Sequence, residues 1–589
     1  MKSLFHLNKY LVKYKWKLIL GFIFIVASNL FAVYMPIIVQ ETTDTMMLYA
    51  NNLETYTKSD ITKYGLISAG LFIGLALAKG LFLFFTRQTI IIVSRHIEFD
   101  LKNEIYQKYQ ELDYSFYKKS RIGDLMTRIS EDVSKVRMYL GPGIMYTFNL
   151  AVLFSLVIYF MVSISPKLSL YVLLPLPIMS VLIYWVSSLV YKKSHAVQAD
   201  LSALSNSSQE VFSGIKILKA YSKEKYFQDV YAESAESYLK SNMSMVRINS
   251  LFMPTIFLLI GLSNIFTIYV GGIMYYDGEI SLGNILQFIY YINMLTWPFA
   301  AVGWITSIIQ RAAASQDRIN QFLDSEPTID ENSEKDELST IQNIQFDQVV
   351  QYFEDASRPI LKNINFSISQ GEVIGIMGKT GSGKSTLINL LLREFDPDKG
   401  EILINNGNLD QINLKSYRKK IGLVPQDVFL FSDTIENNIR FGANREVSME
   451  EVIEVSKKAG VYEDIMNFPD QFNTLLGERG VNLSGGQKQR ISIARALLKN
   501  CDVFIFDDCL SAVDTATEEL ILNSIKKIEG NKTVIIVSHR VSTVKHANKI
   551  LFLDKGEIAE FGTHEELLSQ NGLYKRVFDK QADKGSGDE

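Results

Sequence analysis

Residues 378–386 read Gly-Lys-Thr-Gly-Ser-Gly-Lys-Ser-Thr, the spacing G-x-x-x-x-G-K-[ST] that suits the cradling of phosphate groups. Glycines at 378, 381 and 383 let backbone N–H groups converge on phosphate oxygens. Thr380, Ser382 and Thr386 complete the candidate cradle, and Lys384 supplies a point charge for the outer phosphates. The Ser385 hydroxyl is suited to ligate Mg²⁺. An apolar β-branched run at 373–377 precedes the loop, and an amphipathic segment through Leu387, Leu390, Leu391 and Phe395 follows it. Strand, loop and helix are therefore expected, and with them a nucleoside triphosphate and Mg²⁺. A ligand-free Gly/Ser turn is the bland alternative, and this context disfavours it. Downstream, the buried-strand run Val503-Phe504-Ile505-Phe506 ends in Asp507 and Asp508. A carboxylate at the end of a parallel strand adjoining the P-loop is placed to hold Mg²⁺, directly or through water.

The 589 residues that carry this chemistry are too many for one core, so at least two domains are expected. The net charge of -4 argues against a nucleic-acid partner. Nearly all long apolar runs lie before Ser325, and charged, Gly-punctuated sequence lies after it. One half reads as membrane, the other as soluble. Six runs are long and apolar enough to cross about 30 Å of hydrocarbon: 18–39, 64–85, 142–163, 168–190, 251–274 and 282–309. Lysines before the first run, arginines in the connection after the second and lysines in that after the fourth put both termini in the cytoplasm, because the other connections are short and poor in positive charge. Residues 1–16 are expected to form an uncleaved interfacial helix. The connections 94–137 and 191–247 keep helical periodicity, so the spans should continue as helices past the bilayer, each connection bending near Gly123 or Gly214.

Polar residues within the runs are expensive in lipid. Lys79 reads as a cavity residue or counter-charge, or equally as a side chain that snorkels or pairs with an acid. Tyr290, Tyr291, Trp297 and Phe299 suit either an apolar ligand site or packing and interface anchoring. The acidic stretch 324–340 reads as a linker, 341–580 as the soluble domain and 581–589 as a polar tail, with 1–323 as the membrane domain. Cys501 and Cys509 lack metal-ligand spacing and are expected to be buried thiols.

Leu483-Ser484-Gly485-Gly486-Gln487, lying between the P-loop and the acidic strand end, gives the chain a specific resemblance to the ATP-binding cassette (ABC) family. Six spans before one such domain, with Gly477-Glu478-Arg479-Gly480 ahead of the signature, resemble a half-transporter of the multidrug and lipid exporter class. The fold implied is an all-α six-span transmembrane bundle fused to an α/β P-loop nucleotide-binding domain. ATP and Mg²⁺ are the implied cofactors. The resemblance assigns Gln426 to a loop that meets Mg²⁺, and Ser484, Gly485, Gly486 and Gln487 to a signature that closes on ATP bound by the opposite subunit. It assigns residues 511–514 to a loop crossing between subunits and His539 to a switch that contacts the γ-phosphate. Phe353, with Tyr352 beside it, matches the aromatic that stacks on adenine. The bends near Gly123 and Gly214 match coupling helices.

Asp508 departs from the family pattern, which has glutamate there to polarise the attacking water. Its carboxylate reaches about 1.5 Å less far, and a misplacement of about 1 Å can cost on the order of a hundredfold in rate. This chain's own P-loop site should bind ATP and hydrolyse it slowly. Its intact signature would complete a competent site on a partner that keeps glutamate, as in heterodimeric exporters; a homodimer with two slow sites is the alternative. The expected function is ATP-driven export of a hydrophobic or amphipathic substrate, drug or lipid, across the cytoplasmic membrane. A homodimeric lipid flippase and an ATP-gated channel or regulator are the rival readings.

Overall fold

The computed structural model describes residues 2–52, 56–329, 335–352, 358–477, 480, 482–509, 515–526 and 532–585. Phe353, Glu478, Arg479 and the expected crossing loop 511–514 lie outside these. The chain divides into two compact units: Met1–Glu111 with Ser120–Ser325, and Leu112–Lys119 with Glu326–Glu589.

The described residues of the first unit are helical apart from short turns. Among the described residues, five helical stretches are long and apolar enough to span a membrane: Lys15–Asn51, Lys58–Glu111, Ile122–Ile164, Glu224–Tyr276 and Leu282–Leu323. The 54 residues of the second stretch would extend about 80 Å at the α-helical rise, far beyond the hydrocarbon. Helices continue past the spans, as their periodicity predicts. The expected span 168–190 is not among the five, so a count of six is not confirmed. It is divided between the helices Pro166–Leu173 and Pro175–Ser213. Pro175 has no N–H to donate and its ring crowds the preceding turn.

Some polar groups inside this unit join one helix to another. The Asn29 amide donates to Asn149 Oδ1 at 2.9 Å, and the Ser28 hydroxyl to the Lys79 carbonyl at 3.2 Å. Tyr291 is fully buried, donating to the Val33 carbonyl and accepting from Gln287, so its role is packing. Phe299 meets Phe154 edge-on at 4.8 Å, whereas Trp297 is exposed. Asp132 is buried and accepts from Ser315 at 2.8 Å and from the Arg318 guanidinium, tying the stretch Ile122–Ile164 to the last helix. At the other end of that helix, Asp44 accepts from Ser281 Oγ at 2.6 Å and from the Gly283 N–H at 2.9 Å. A carboxylate there complements the helix's positive end.

The second unit has two sheets. Its strands are β1 (Asn343–Gln351), β2 (Leu361–Ser369), β3 (Val373–Gly378), β4 (Lys399–Ile404), β5 (Gly407–Asn408), β6 (Ile421–Val424), β7 (Val503–Asp507), β8 (Thr533–Val537), β9 (Lys549–Asp554) and β10 (Glu557–Gly562). One sheet is ordered β2-β1-β4-β5 and antiparallel. The other is ordered β10-β9-β3-β8-β7-β6, parallel except for β10. Continuous apolar runs such as Val-Ile-Ile-Val suit strands covered on both faces, and β8 is buried at every position. The strand β7 is not the direct neighbour of the P-loop strand β3, since β8 lies between them. Two strand spacings, about 9.6 Å, separate them.

Residues 335–340, within the expected linker, are tied to this unit. Leu338 donates to Ser416 Oγ at 3.0 Å, and the Thr340 carbonyl accepts from Asn405 at 2.7 Å. The helix Leu573–Gly585 continues into the expected tail. The expected buried thiols Cys501 and Cys509 are both buried and unbridged.

Asp113 organises the eight residues that join this unit from between membrane helices. It caps the short helix Tyr114–Lys119 by accepting from Phe116 N–H at 3.1 Å, and it also accepts from Thr328 N–H and Oγ1, each at 2.5 Å. These donors hold its carboxyl down to about 2 against the opposing effect of burial. A depressed carboxyl contributes stability that is present above about pH 3.9 and lost as pH falls toward 2. Asp113→Ala should cost about 1 kcal/mol of local stability and raise the rate of limited proteolysis near Thr328 several-fold at neutral pH. Unchanged cleavage rates would show that the clamp contributes nothing.

Candidate functional site

The P-loop leaves β3 at Gly378 and enters the helix Lys384–Leu391. Gly383, at the helix N-cap, has φ +105°, a left-handed conformation that a side chain resists. A Cβ at Gly378 would stand 2.3 Å from the Leu553 carbonyl oxygen, so only glycine lets the strands close around the loop. The strand–loop–helix context expected from the sequence is present.

A cleft of about 320 Å³ opens on this loop, lined by Thr380, Gly381, Gly383, Lys384, Ser385, Thr386, Gln426, Asp507, Asp508 and His539, with Ile360 and Val537. The sheet order explains the convergence. Gln426 follows β6, Asp507 ends β7 with Asp508 just after it, His539 follows β8 and the loop follows β3, and these parallel strands all end on one side. Ligands of open α/β sheets bind outside the carboxyl ends of the strands.

Lys384 is mostly buried, its ammonium donating to the Gly378 and Lys379 carbonyls at 2.8 and 3.0 Å. Burial lowers its pKa, while Asp508 and Asp507 oppose that shift. The Asp507 carboxyl is pushed up by burial and by the charge of Asp508, with Lys384 pulling it down. Asp508 has φ +44° and donates its N–H to the Val537 carbonyl at 2.9 Å. Aspartate tolerates this region better than most residues. The Ser382 hydroxyl is buried with no hydrogen-bond partner among the described residues. A phosphate would satisfy this hydroxyl, and a divalent cation would relieve the repulsion between the adjacent carboxylates, so the residues present fit both groups.

The other sequence candidates lie elsewhere. Ser484 caps the helix Gly485–Leu498: its hydroxyl accepts from the Gln487 N–H at 3.2 Å while the Gln487 side chain accepts from the Ser484 N–H at 3.0 Å. Neither these two residues nor Gly485 and Gly486 line the cleft. Tyr352 is exposed, its N–H donating to Asp398 at 2.7 Å. Ile360 and Val537 were missed, since neither belongs to a chemical motif. The position of Val537 just ahead of His539 could have pointed to it.

A membrane-spanning helical domain joined to a P-loop domain with this cleft defines a nucleotide-driven membrane protein. Residues 18–299 match the family model described as ABC transporter transmembrane region, and 361–511 the one described as ABC transporter. The chain belongs to the ABC transporter family and is an exporter, with an ATPase domain coupled to transport. It is 36% identical to the multidrug resistance-like ATP-binding protein MdlA of Escherichia coli (strain K12), over 82% of either chain. It is 35% identical to the probable multidrug resistance ABC transporter ATP-binding/permease protein YheI of Bacillus subtilis (strain 168), over 91% of this chain and 92% of that one. The ATP-dependent lipid A-core flippase of Syntrophus aciditrophicus (strain SB) is 31% identical over 86% and 84%. The fold is that of a bacterial Atm1-family ABC exporter solved with ATP bound, at a TM-score of 0.79 and 24% identity over 98% of each chain.

Proposed function

We propose that the chain is one half of a dimeric exporter that moves a hydrophobic or amphipathic molecule out across the cytoplasmic membrane, with both termini and the nucleotide-binding domain in the cytoplasm. The observation that carries this reading is the cleft that unites the P-loop, Lys384 and the carboxylates of Asp507 and Asp508. In it the P-loop N–H groups and Lys384 bind the phosphates of ATP, and Ser382 supplies a further donor. Ser385, Gln426 and Asp507 would hold Mg²⁺, whose charge would polarise the phosphoryl oxygens. Asp508 orients the attacking water but falls short of it, and His539 meets the terminal phosphate. Phe353, or Tyr352 beside it, stacks on the adenine. Ser484, Gly485, Gly486 and Gln487 act on ATP held by the partner, which accounts for their place outside this chain's cleft. ATP closes the two nucleotide-binding domains and turns the bundle outward; hydrolysis and product release reset it.

Asp508 favours a heterodimer in which the partner contributes the faster site. The likeness to a lipid A-core flippase supports a second reading, a homodimeric lipid flippase. The test is accumulation of a fluorescent amphipathic dye or a labelled phospholipid in inverted vesicles holding the reconstituted dimer. Uptake against a gradient that needs MgATP and disappears in Lys384→Ala is expected. Passive flux gated by nucleotide, without accumulation, would identify a channel instead.

A further inference from the structure

His539 enters the cleft from the loop between β8 and the short helix Val541–Val544, and that loop is held from two sides. On one side Glu518, a buried residue of the helix Thr515–Lys526, accepts from Thr543 Oγ1 at 2.5 Å and from Arg540 Nη1 at 3.4 Å. On the other, Gln581 makes two hydrogen bonds that bracket Arg540, the residue after the histidine. Its Nε2 donates to the His539 carbonyl at 2.7 Å, and its Oε1 accepts from the Val541 N–H at 2.9 Å. Val541 opens its helix, so its N–H has no intrahelical acceptor and needs one from outside.

The carboxamide supplies both roles from one planar group, a donor at Nε2 and an acceptor at Oε1. Glutamate keeps the acceptor and loses the donor, and asparagine is one methylene short. The helix that presents Gln581, Leu573–Gly585, is itself fixed at its start. Glu560 accepts from the N–H groups of Leu573 and Tyr574, and the buried Tyr574 ring places its hydroxyl 2.6 Å from His564 Nδ1. The clamp therefore rests on an anchored element.

We propose that Gln581 is a positioning residue of the nucleotide site, setting the His539 backbone and hence the imidazole's placement in the cleft. This rests on the reading of that cleft as the ATP site. The nucleotide most affected is the one whose terminal phosphate His539 meets, so the clamp sets the preference for ATP over ADP rather than overall affinity. Functional groups held by such supporting bonds lose effectiveness when those bonds go.

The test is equilibrium binding of MgATP and MgADP to the purified full-length chain, comparing Gln581→Met, Gln581→Glu, His539→Ala and the His539→Ala/Gln581→Met double variant. Gln581→Met should reduce the ATP-to-ADP affinity ratio about three- to tenfold, the scale of one or two hydrogen bonds, with ADP affinity unchanged. Gln581→Glu, which still caps Val541 but turns an acceptor toward the His539 carbonyl, should reduce the ratio at least as much as Gln581→Met, again with ADP affinity unchanged. The double variant should be no worse than His539→Ala. Equal weakening of both nucleotides, additive losses in the double variant, or an unchanged ratio would each overturn the proposal. Lys384→Ala separates the underlying reading: retention of both nucleotides there would mean that the cleft is not the nucleotide site, and the clamp would fall with it.

Discussion

Asp508→Glu should raise the hydrolytic turnover of this chain's own P-loop site on the order of tenfold to a hundredfold. The argument is one of reach. The Asp508 main chain is fixed at φ +44° by its position after β7 and by its N–H bond to Val537. Lengthening the side chain by one methylene therefore advances the carboxylate by about 1.5 Å without moving its origin. A catalytic group misplaced by about 1 Å forfeits on the order of a hundredfold, and glutamate would recover much of that. Against it stands the left-handed backbone, which glutamate adopts at a cost of about 1 kcal/mol, so the full factor is an upper bound. Single-turnover hydrolysis of radiolabelled ATP by the purified chain is the measurement. An unchanged rate would show that reach is not what limits this site.

Asp507→Asn should act in opposite directions on stability and on nucleotide binding. Burial and the neighbouring Asp508 raise the Asp507 carboxyl above its unfolded value. The folded chain thus holds a proton that the unfolded chain has released, and stability falls as pH rises from about 3.9 through the raised folded value. Asparagine removes that loss, so the nucleotide-free variant should melt a few °C higher at neutral pH. It also removes the charge that would hold Mg²⁺, so the gain in melting temperature on adding MgATP should largely disappear. Thermal melts with and without MgATP, at pH 5 and pH 7.5, read both effects. A variant that is less stable without nucleotide would contradict the charge-burial account.

The P-loop was legible because its chemistry is local: glycine geometry, a lysine and a hydroxyl at fixed spacing, between a buried strand and a helix. Gln426, the Asp507–Asp508 pair and His539 lie far apart in the chain; a strand-end position pointed to the aspartates, whereas only the family resemblance brought in Gln426 and His539. Sheet order was not legible, since Val-Ile-Ile-Val and Val-Phe-Ile-Phe say "buried strand" without saying which neighbour each has. Hydropathy cannot see that Pro175 divides a span. The clamp from Asp113 to Thr328 escaped because its partners are 215 residues apart. Gln581 escaped because a glutamine in a polar stretch carries no signal until the fold brings His539 to it.

The most direct test of an asymmetric exporter is to recover the tagged chain from its native membrane and measure the composition and ATPase activity of what comes with it. A second half-transporter in equal amount, carrying glutamate where this chain has Asp508, with activity only in the mixed complex, is the predicted result. Recovery of this chain alone with full ATPase activity would contradict it and make the protein a homodimer in which Asp508 suffices.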